Sequence, residues 1–217
     1  MQSALTLWNR LVKFGFRLLY NEMAFTYDSV SWLVSLGEWR DWCGAALRHV
    51  NAPPGALILE LAHGTANLQS AMRRAGFNPV GIDLSPAMGR IARRKLSRAG
   101  FPLQLARARA QALPFGDQTF VALVSTFPTE FILDPRTLAE SHRVLTPGGR
   151  LVIVPNATFT KGGLAREGLE LAYRVTGQRV PLPPGILERF EGAGFGVRLE
   201  QESFRRSTAQ VFIAEKH

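Results

Sequence analysis

The sequence predicts an α/β fold, a mostly parallel sheet with helices on both faces, and three observations carry that expectation. After about residue 55, short apolar runs are followed repeatedly by segments with helical spacing. Those runs are continuously apolar, not alternating, as strands buried on both faces require. Between the first run and the first helix lies a glycine-bearing loop, "ELAHGTAN".

The first run is "ALILEL" (56–61), and "TANLQSAMRRAG" follows with helical spacing that stops at Gly76. "PVGID" (79–83) reads as the second strand. Ser85-Pro86 then opens a helix, because proline lacks an amide that the first turn would leave unpaired. "LQLARA", "FVALVSTF" and "RLVIVP" supply further strands, with a helix over Pro135 to Leu145 stopped by "TPGG". "ILERFEGAGF" reads as a helix, and "VRLEQESF" and "AQVFIAEK" as two strands close enough to pair antiparallel at the sheet edge. The connection from Asn156 to Pro184 is too long for a turn and holds a predicted helix from Leu164 to Val175. Connections of that length are usually functional or mobile. Residues 4–50 read as largely helical. The expected organisation is one domain: a helical cover over 1–50, a core over 55–155, a substrate-side connection over 156–184, and a helix with a strand pair over 185–217.

With 217 residues, 46% of them hydrophobic, the chain can bury a substantial core. Its one cysteine, Cys43, forms no internal disulfide, and Met1 to Tyr20 lacks a secretory-signal pattern, so the expected compartment is the cytoplasm. Arg10, Lys13 and Arg17 interrupt the best N-terminal apolar run, and no stretch approaches the ~20 residues that span a bilayer. A net charge of +9 favours a polyanionic surface, nucleic acid or anionic membrane, without choosing between them. Much of the excess sits in "RIARRKLSR" (90–98), read as a solvated helix face. Leu7, Trp8, Leu11, Phe14, Leu18 and Leu19 recur at near-helical spacing among cations. Packing on the sheet is one reading of them, and a helix lying in a membrane interface is the other.

In open α/β sheets ligands bind at the carboxyl ends of the strands, where the first strand-to-helix loop lies. Asp83 ends the second strand, where a carboxylate can accept both hydroxyls of an adenosine ribose. A dinucleotide would set its pyrophosphate on the helix N-terminus and call for three glycines. Here Ala62 and Ala66 flank a lone Gly64, each expected to add a methyl group toward the ligand. S-adenosyl-L-methionine carries no phosphate and fits a loop with one glycine, with Glu60 in the network around its ammonium.

In motif order the chain resembles the class I S-adenosylmethionine-dependent methyltransferases, and among them the menaquinone and ubiquinone C-methyltransferase branch. The likeness covers roughly Tyr27 to Val154 and rests on "LILELAHGTAN", "VGIDLSPAMGRIARRK", "ARAQALPFGDQTFVALVSTF" and "ESHRVLTPGGRLVIVP". "YDSVSWLVSLGEWRDW" is similar to that branch's helical cover. The resemblance implies a Rossmann-like fold whose seven-stranded sheet has one antiparallel strand. It puts Ala62, His63 and Gly64 against the methionine part of S-adenosyl-L-methionine, Asp83 on the ribose, and Leu84 and Met88 beside the adenine. Ala110 and Gln111 belong at the adenine edge, Thr126 at the methyl-transfer site, and Tyr27 over the cofactor. Arg109 departs from the pattern, standing where the family usually has an acidic acceptor, and is expected either to stack on adenine or to turn outward.

Methyl transfer from a sulfonium mainly needs alignment in a dry site, so a base is optional. His63 is read as structural despite its place in the loop, and His142 as a surface residue. Glu130, just beyond the fourth strand, is the one candidate for orienting the acceptor or taking its proton. The expected function is methyl transfer to a small, lipophilic, quinone-like acceptor, with peripheral membrane contact, no metal, and no nucleic-acid partner. Two alternatives stay open: a catalytically silent cofactor- or partner-binding protein, and an RNA or protein methyltransferase.

Overall fold

The computed structural model describes Gly15, residues 24–160 and residues 185–217. The N-terminal cover comprises α1 (Tyr27–Val34) and α2 (Trp39–Ala45). The core then alternates β1 (Leu57–Leu61), α3 (Asn67–Arg74), β2 (Asn78–Asp83), α4 (Pro86–Arg98), β3 (Leu105–Arg107), β4 (Phe120–Thr126), α5 (Pro135–Val144) and β5 (Leu145–Val154). After it come β6 (Ala157–Phe159), α6 (Ile186–Glu191), β7 (Phe195–Ser203) and β8 (Ser207–Lys216). The expected helix from Leu164 to Val175 and, Gly15 apart, the segment 4–23 lie outside the described residues.

Strands run in the order β3-β2-β1-β4-β5-β8, parallel from β3 through β5. β8 is antiparallel to β5, β6 and β7. β5 pairs with Phe212 to Glu215 of β8, and β6 with Ser207 to Ala209 on the same side. Lying end to end, β5 and β6 fill one place, so eight strands occupy the seven positions expected.

Period-two alternation sends successive residues of each buried strand to opposite faces. Ile58, Ala122, Val124, Val152 and Val154 face Trp42 and Ala45 of α2 and Leu68 and Met72 of α3. Leu59, Leu61, Leu123, Leu151 and Ile153 face Leu138 and Val144 of α5 and Phe190 of α6. Helix starts follow their sequence signals. Ser85 Oγ accepts the Met88 amide at 3.2 Å, with Pro86 in the first turn, and Asp134 accepts the Arg136 amide at 2.9 Å, with Pro135 beside it.

The α5 to β5 junction departs from expectation. The helix ends at Val144, and "TPGG" runs inside an irregular strand that pairs Leu145 with Phe120 and Arg150 with Ala122. A Cβ on Gly149 would sit 2.8 Å from the Thr146 carbonyl and 2.9 Å from that of Val121, so only glycine lets the strands close there. The buried Lys216 donates to the carbonyls of His142 (2.7 Å) and Leu145 (2.8 Å), satisfying acceptors that the helix end leaves open. The His142 ring lies edge-on to Phe195 at 5.3 Å, so it packs at the junction instead of serving only the surface. Among the described residues no helix is long and apolar enough to cross a membrane.

Candidate functional site

β1 and β4 end side by side, and the loop after β1 turns over their carboxyl ends. Ala62, Gly64 and Ala66 have φ of 60°, 52° and 65°. All three are left-handed, a conformation costing roughly 1–2 kcal/mol for a residue with a Cβ. The loop has therefore kept a glycine-type backbone while holding one glycine. The two alanine methyls do not both point to the ligand side, as the sequence led us to expect. Ala62 is exposed, whereas Ala66 is fully buried against Ala92 and Leu96 of α4.

Hydrogen bonds fix this turn. His63 N–H donates to the Ile82 carbonyl (3.0 Å), Ala66 N–H to the His63 carbonyl (2.9 Å), and Gly64 N–H to Asp83 Oδ2 (2.8 Å). Asp83 Oδ1 accepts the Ser85 amide at 2.7 Å, so this carboxylate ties the β1 loop to the β2 loop. His63 is buried, and desolvation lowers its pKa. Its Nδ1 lies 2.9 Å from the Gly64 carbonyl and donates there, which leaves a neutral ring engaged with its own loop.

Glu60 is 3% exposed and accepts one hydrogen bond from Gln69 Nε2 at 2.8 Å. Burial pushes its carboxyl up to about 8, the Gln69 bond opposing and the Asp83 charge adding to the rise. Gly81 makes space for the arrangement: a Cβ there would stand 2.9 Å from Leu105 Cδ2 and 3.0 Å from both Gln69 Nε2 and His63 Cδ2.

A pocket of about 40 Å³ brings together six of the anticipated residues, Tyr27, Glu60, Ala62, His63, Gly64 and Thr126. It also takes in Trp39, Cys43, Thr65 and Asn67, which local patterning did not single out. Burial holds the Cys43 thiol up at about 12, so it is an inert wall. Asp83, Leu84, Met88, Ala110 and Gln111 lie outside this lining. Leu84 is 52% exposed, Met88 and Ala110 are buried, and Gln111 Nε2 donates to Asp134 Oδ2 at 3.2 Å. Arg109 and Glu130 are exposed.

The cover is joined to the loop by charge and aromatic packing. Asp28 of α1 accepts from Thr65 Oγ1 (2.6 Å), Asn67 Nδ2 (3.0 Å) and Lys95 Nζ (2.5 Å). Desolvation would raise the Asp28 pKa, but the Lys95 and Thr65 contacts outweigh it and the net shift is downward. The basic run on α4 is thus only partly a solvated face: Arg90, Arg93, Arg94 and Arg98 are exposed, while Lys95 turns to the cover. Trp39 stacks on Phe127 at 4.4 Å, with Tyr27 edge-on to it at 6.2 Å. Trp42 Nε1 donates to Ser207 Oγ at 2.7 Å, anchoring α2 to β8.

A buried carboxyl with a single donor among the described residues, beside an open left-handed loop, fits an ammonium. Asp83 has the carboxylate acceptors that a ribose diol needs, and Leu84 beside it is exposed. The chain itself matches the methyltransferase-domain family over residues 59–153. It is 32% identical to a demethylmenaquinone methyltransferase of Thermus thermophilus, over 91% of this chain and 100% of that one. A protein of the same name from Symbiobacterium thermophilum is 31% identical over 92% of each chain. Among solved structures, the [4+2]-cyclase SpnF superposes with a TM-score of 0.64 at 19% identity, over 82% of this chain and 80% of that one. Geranyl diphosphate C-methyltransferase from Streptomyces coelicolor gives 0.63 at 12% identity, over 82% and 79%. A cyclase among these likenesses means that they speak for the fold, and the sequence relatives for the activity. The chain is a class I S-adenosylmethionine-dependent methyltransferase. Within that class it belongs to the menaquinone and ubiquinone C-methyltransferase branch.

Proposed function

We propose that the protein methylates a ring carbon of a lipophilic, quinone-like acceptor, held at the carboxyl end of β4. The observation that carries the site assignment is that the loop following Glu60 of β1 is bonded through the Gly64 amide to Asp83 at the end of β2. The acceptor class rests on the names of the relatives that match nearly the whole chain.

When bound, S-adenosylmethionine supplies a methyl group on a sulfonium, already carrying a good leaving group. Glu60 ionises to pair with the ammonium of the methionine part. Asp83 accepts the ribose hydroxyls while keeping its hold on Gly64. Leu84 and Met88 flank the adenine, with Ala110 and Gln111 at its edge. Tyr27 and Trp39 move aside to admit the cofactor, since about 40 Å³ is far below the ~300 Å³ at which ordinary ligand sites begin, and then close to exclude water. Thr126 borders the transfer site. Glu130, in the turn after β4, is the candidate to receive the proton that the methylated carbon releases.

Calorimetry tests this reading. S-adenosylmethionine and its demethylated product should bind more tightly than NAD, and Asp83→Ala should weaken binding by ~1.5–3 kcal/mol. With Glu60 at about 8, most molecules hold its proton at pH 7, so binding the ammonium should release most of one proton, read from buffers of different ionisation enthalpy. Glu60→Gln should abolish that release. Tighter NAD binding would overturn the assignment, and binding without proton release would mean that Glu60 is already ionised in the free protein.

A further inference from the structure

An open sheet ends in two edges, and each presents a row of backbone groups that another strand can take up. Here the edges are β3 and β7: among the described residues β3 pairs only with β2, and β7 only with β8. They differ in length and charge. β3 has three residues, with Arg107 exposed on it and Arg109 exposed just beyond. Between Arg73 and Arg109 nine cations accompany one acid, Asp83, so that end of the sheet holds nearly all of the net charge of +9. A second copy would meet like charge there and be repelled.

β7 is nine residues long, contains no proline, and pairs with β8 without a shift in register. Its backbone leaves one side free. At the turn Phe204 N–H donates to the Ser207 carbonyl at 2.8 Å, and bonded pairs alternate along an antiparallel ladder, so Glu202, Glu200 and Arg198 turn their amides to β8. The amides and carbonyls of Gln201, Leu199 and Val197 therefore point away from the sheet. Arg198, Leu199, Glu200 and Gln201 are all exposed, Leu199 by 50%.

Such a strand can pair with its own copy across a two-fold axis, and its charges choose the register. An axis through Leu199 sets Arg198 opposite Glu200 of the second copy, and Glu200 opposite the second copy's Arg198. Other axes fail. Centring on 198 or 200 opposes like charges, 201 opposes Glu200 and Glu202, and 197 leaves Arg198 against Gly196. The axis through Leu199 also makes that residue a hydrogen-bonded pair with its counterpart, because its amide is one of those pointing outward. Glu202, held by Arg48 and His49, meets Gly196 and needs no new partner. Arg198 can turn to the second copy, since its contacts with Glu200 and Glu215 are 3.8 Å, beyond hydrogen-bond length.

We propose that β7 is a homodimer interface: two copies join edge to edge, antiparallel about Leu199, and one sheet runs through both. Leu199, opposite Phe212, lies on the face that α6 covers with Phe190, where Leu187 adds a second apolar side chain, 40% exposed. Dimerisation stands apart from the function proposed above, because β7 supplies no residue of the cofactor pocket.

Sedimentation velocity of the full chain across micromolar concentrations reads the association. The unsubstituted protein should form dimers that dissociate on dilution. Arg198→Glu sets like charges against each other twice across the axis and should weaken the dimer at least tenfold, whereas Arg198→Glu combined with Glu200→Arg restores both pairs and should return it to within threefold. Leu199→Pro removes an outward amide, spares the ladder to β8, and should give a monomer. Far-UV circular dichroism and melting temperature certify the fold of each variant. A monomer at every concentration, a dimer that keeps its affinity in Leu199→Pro or Arg198→Glu, or a double swap no tighter than Arg198→Glu alone would overturn the proposal.

Discussion

Ala62 and Ala66 occupy the same left-handed backbone region, yet they should answer differently to glycine. At Ala62, relief of about 1 kcal/mol of backbone strain is offset in part by the ~0.4–1 kcal/mol that glycine adds to the entropy of the unfolded chain. The side chain is exposed, so little packing is lost. Ala62→Gly should stabilise the protein by a few tenths of a kcal/mol, an order-of-magnitude balance of those two effects. At Ala66 the same relief is opposed by the loss of a buried methyl, about 0.8 kcal/mol, and by the gap left against Ala92 and Leu96. Ala66→Gly should be destabilising by about 0.5–1 kcal/mol. Chemical denaturation of the two variants compares them directly, and a reversed order would contradict the packing described. Nothing in the sequence marks these positions as left-handed, because alanine carries none of the signal that glycine or asparagine gives. Glu60 and Asp83, in contrast, were readable, since their places at strand ends follow from the apolar runs before them.

At the level of elements, what the local pattern could say was where strands and helices begin, and Ser85-Pro86 and Asp134-Pro135 said it plainly. It could not say which distant elements would meet. Asp28 reaches Thr65 across 37 positions and Trp42 reaches Ser207 across 165, and no periodicity encodes such contacts. The Trp39 and Asn67 walls of the site escaped notice for the same reason. The Asp28 cluster nevertheless makes a local prediction. Its folded pKa lies below the ordinary 3.8, so the carboxylate's contribution is fully present above that value and is lost as pH falls through the folded one. Asp28 is partly exposed, which discounts the Lys95 pair, and Asp28→Ala should cost about 1–2 kcal/mol near neutrality, mainly through the Thr65 and Asn67 bonds. Denaturation curves of the two proteins should keep that gap from pH 7 down to about 4 and converge only as the pH falls further, through the folded pKa. A gap that persists unchanged to pH 2 would mean that Asp28 acts through packing alone.

Across the whole molecule, charge and apolar exposure coincide on neighbouring elements. The exposed face of α4 carries Arg90, Arg93, Arg94 and Arg98, and Lys95 joins that helix to α1, which exposes Trp32 (65%) and Leu33 (62%). With a net charge of +9 and a lipophilic acceptor proposed, this side suits the surface of an anionic bilayer. The basic and apolar segment from Leu5 to Tyr20 precedes α1 in the chain and lies, Gly15 apart, outside the described residues. Each large apolar side chain buried at an interface contributes roughly 1.5–3 kcal/mol, and each nearby Lys or Arg about 1 on an anionic membrane. Sedimentation with vesicles should therefore show binding of the intact chain to anionic lipid and much less to neutral lipid, weakened by added salt. Changing Trp8, Leu11, Phe14 and Leu33 to serine should remove most of it, with S-adenosylhomocysteine affinity confirming that the variant is folded. Equal and negligible sedimentation of both proteins would mean that the acceptor arrives through water, and that the arginines of α4 serve solubility instead of docking.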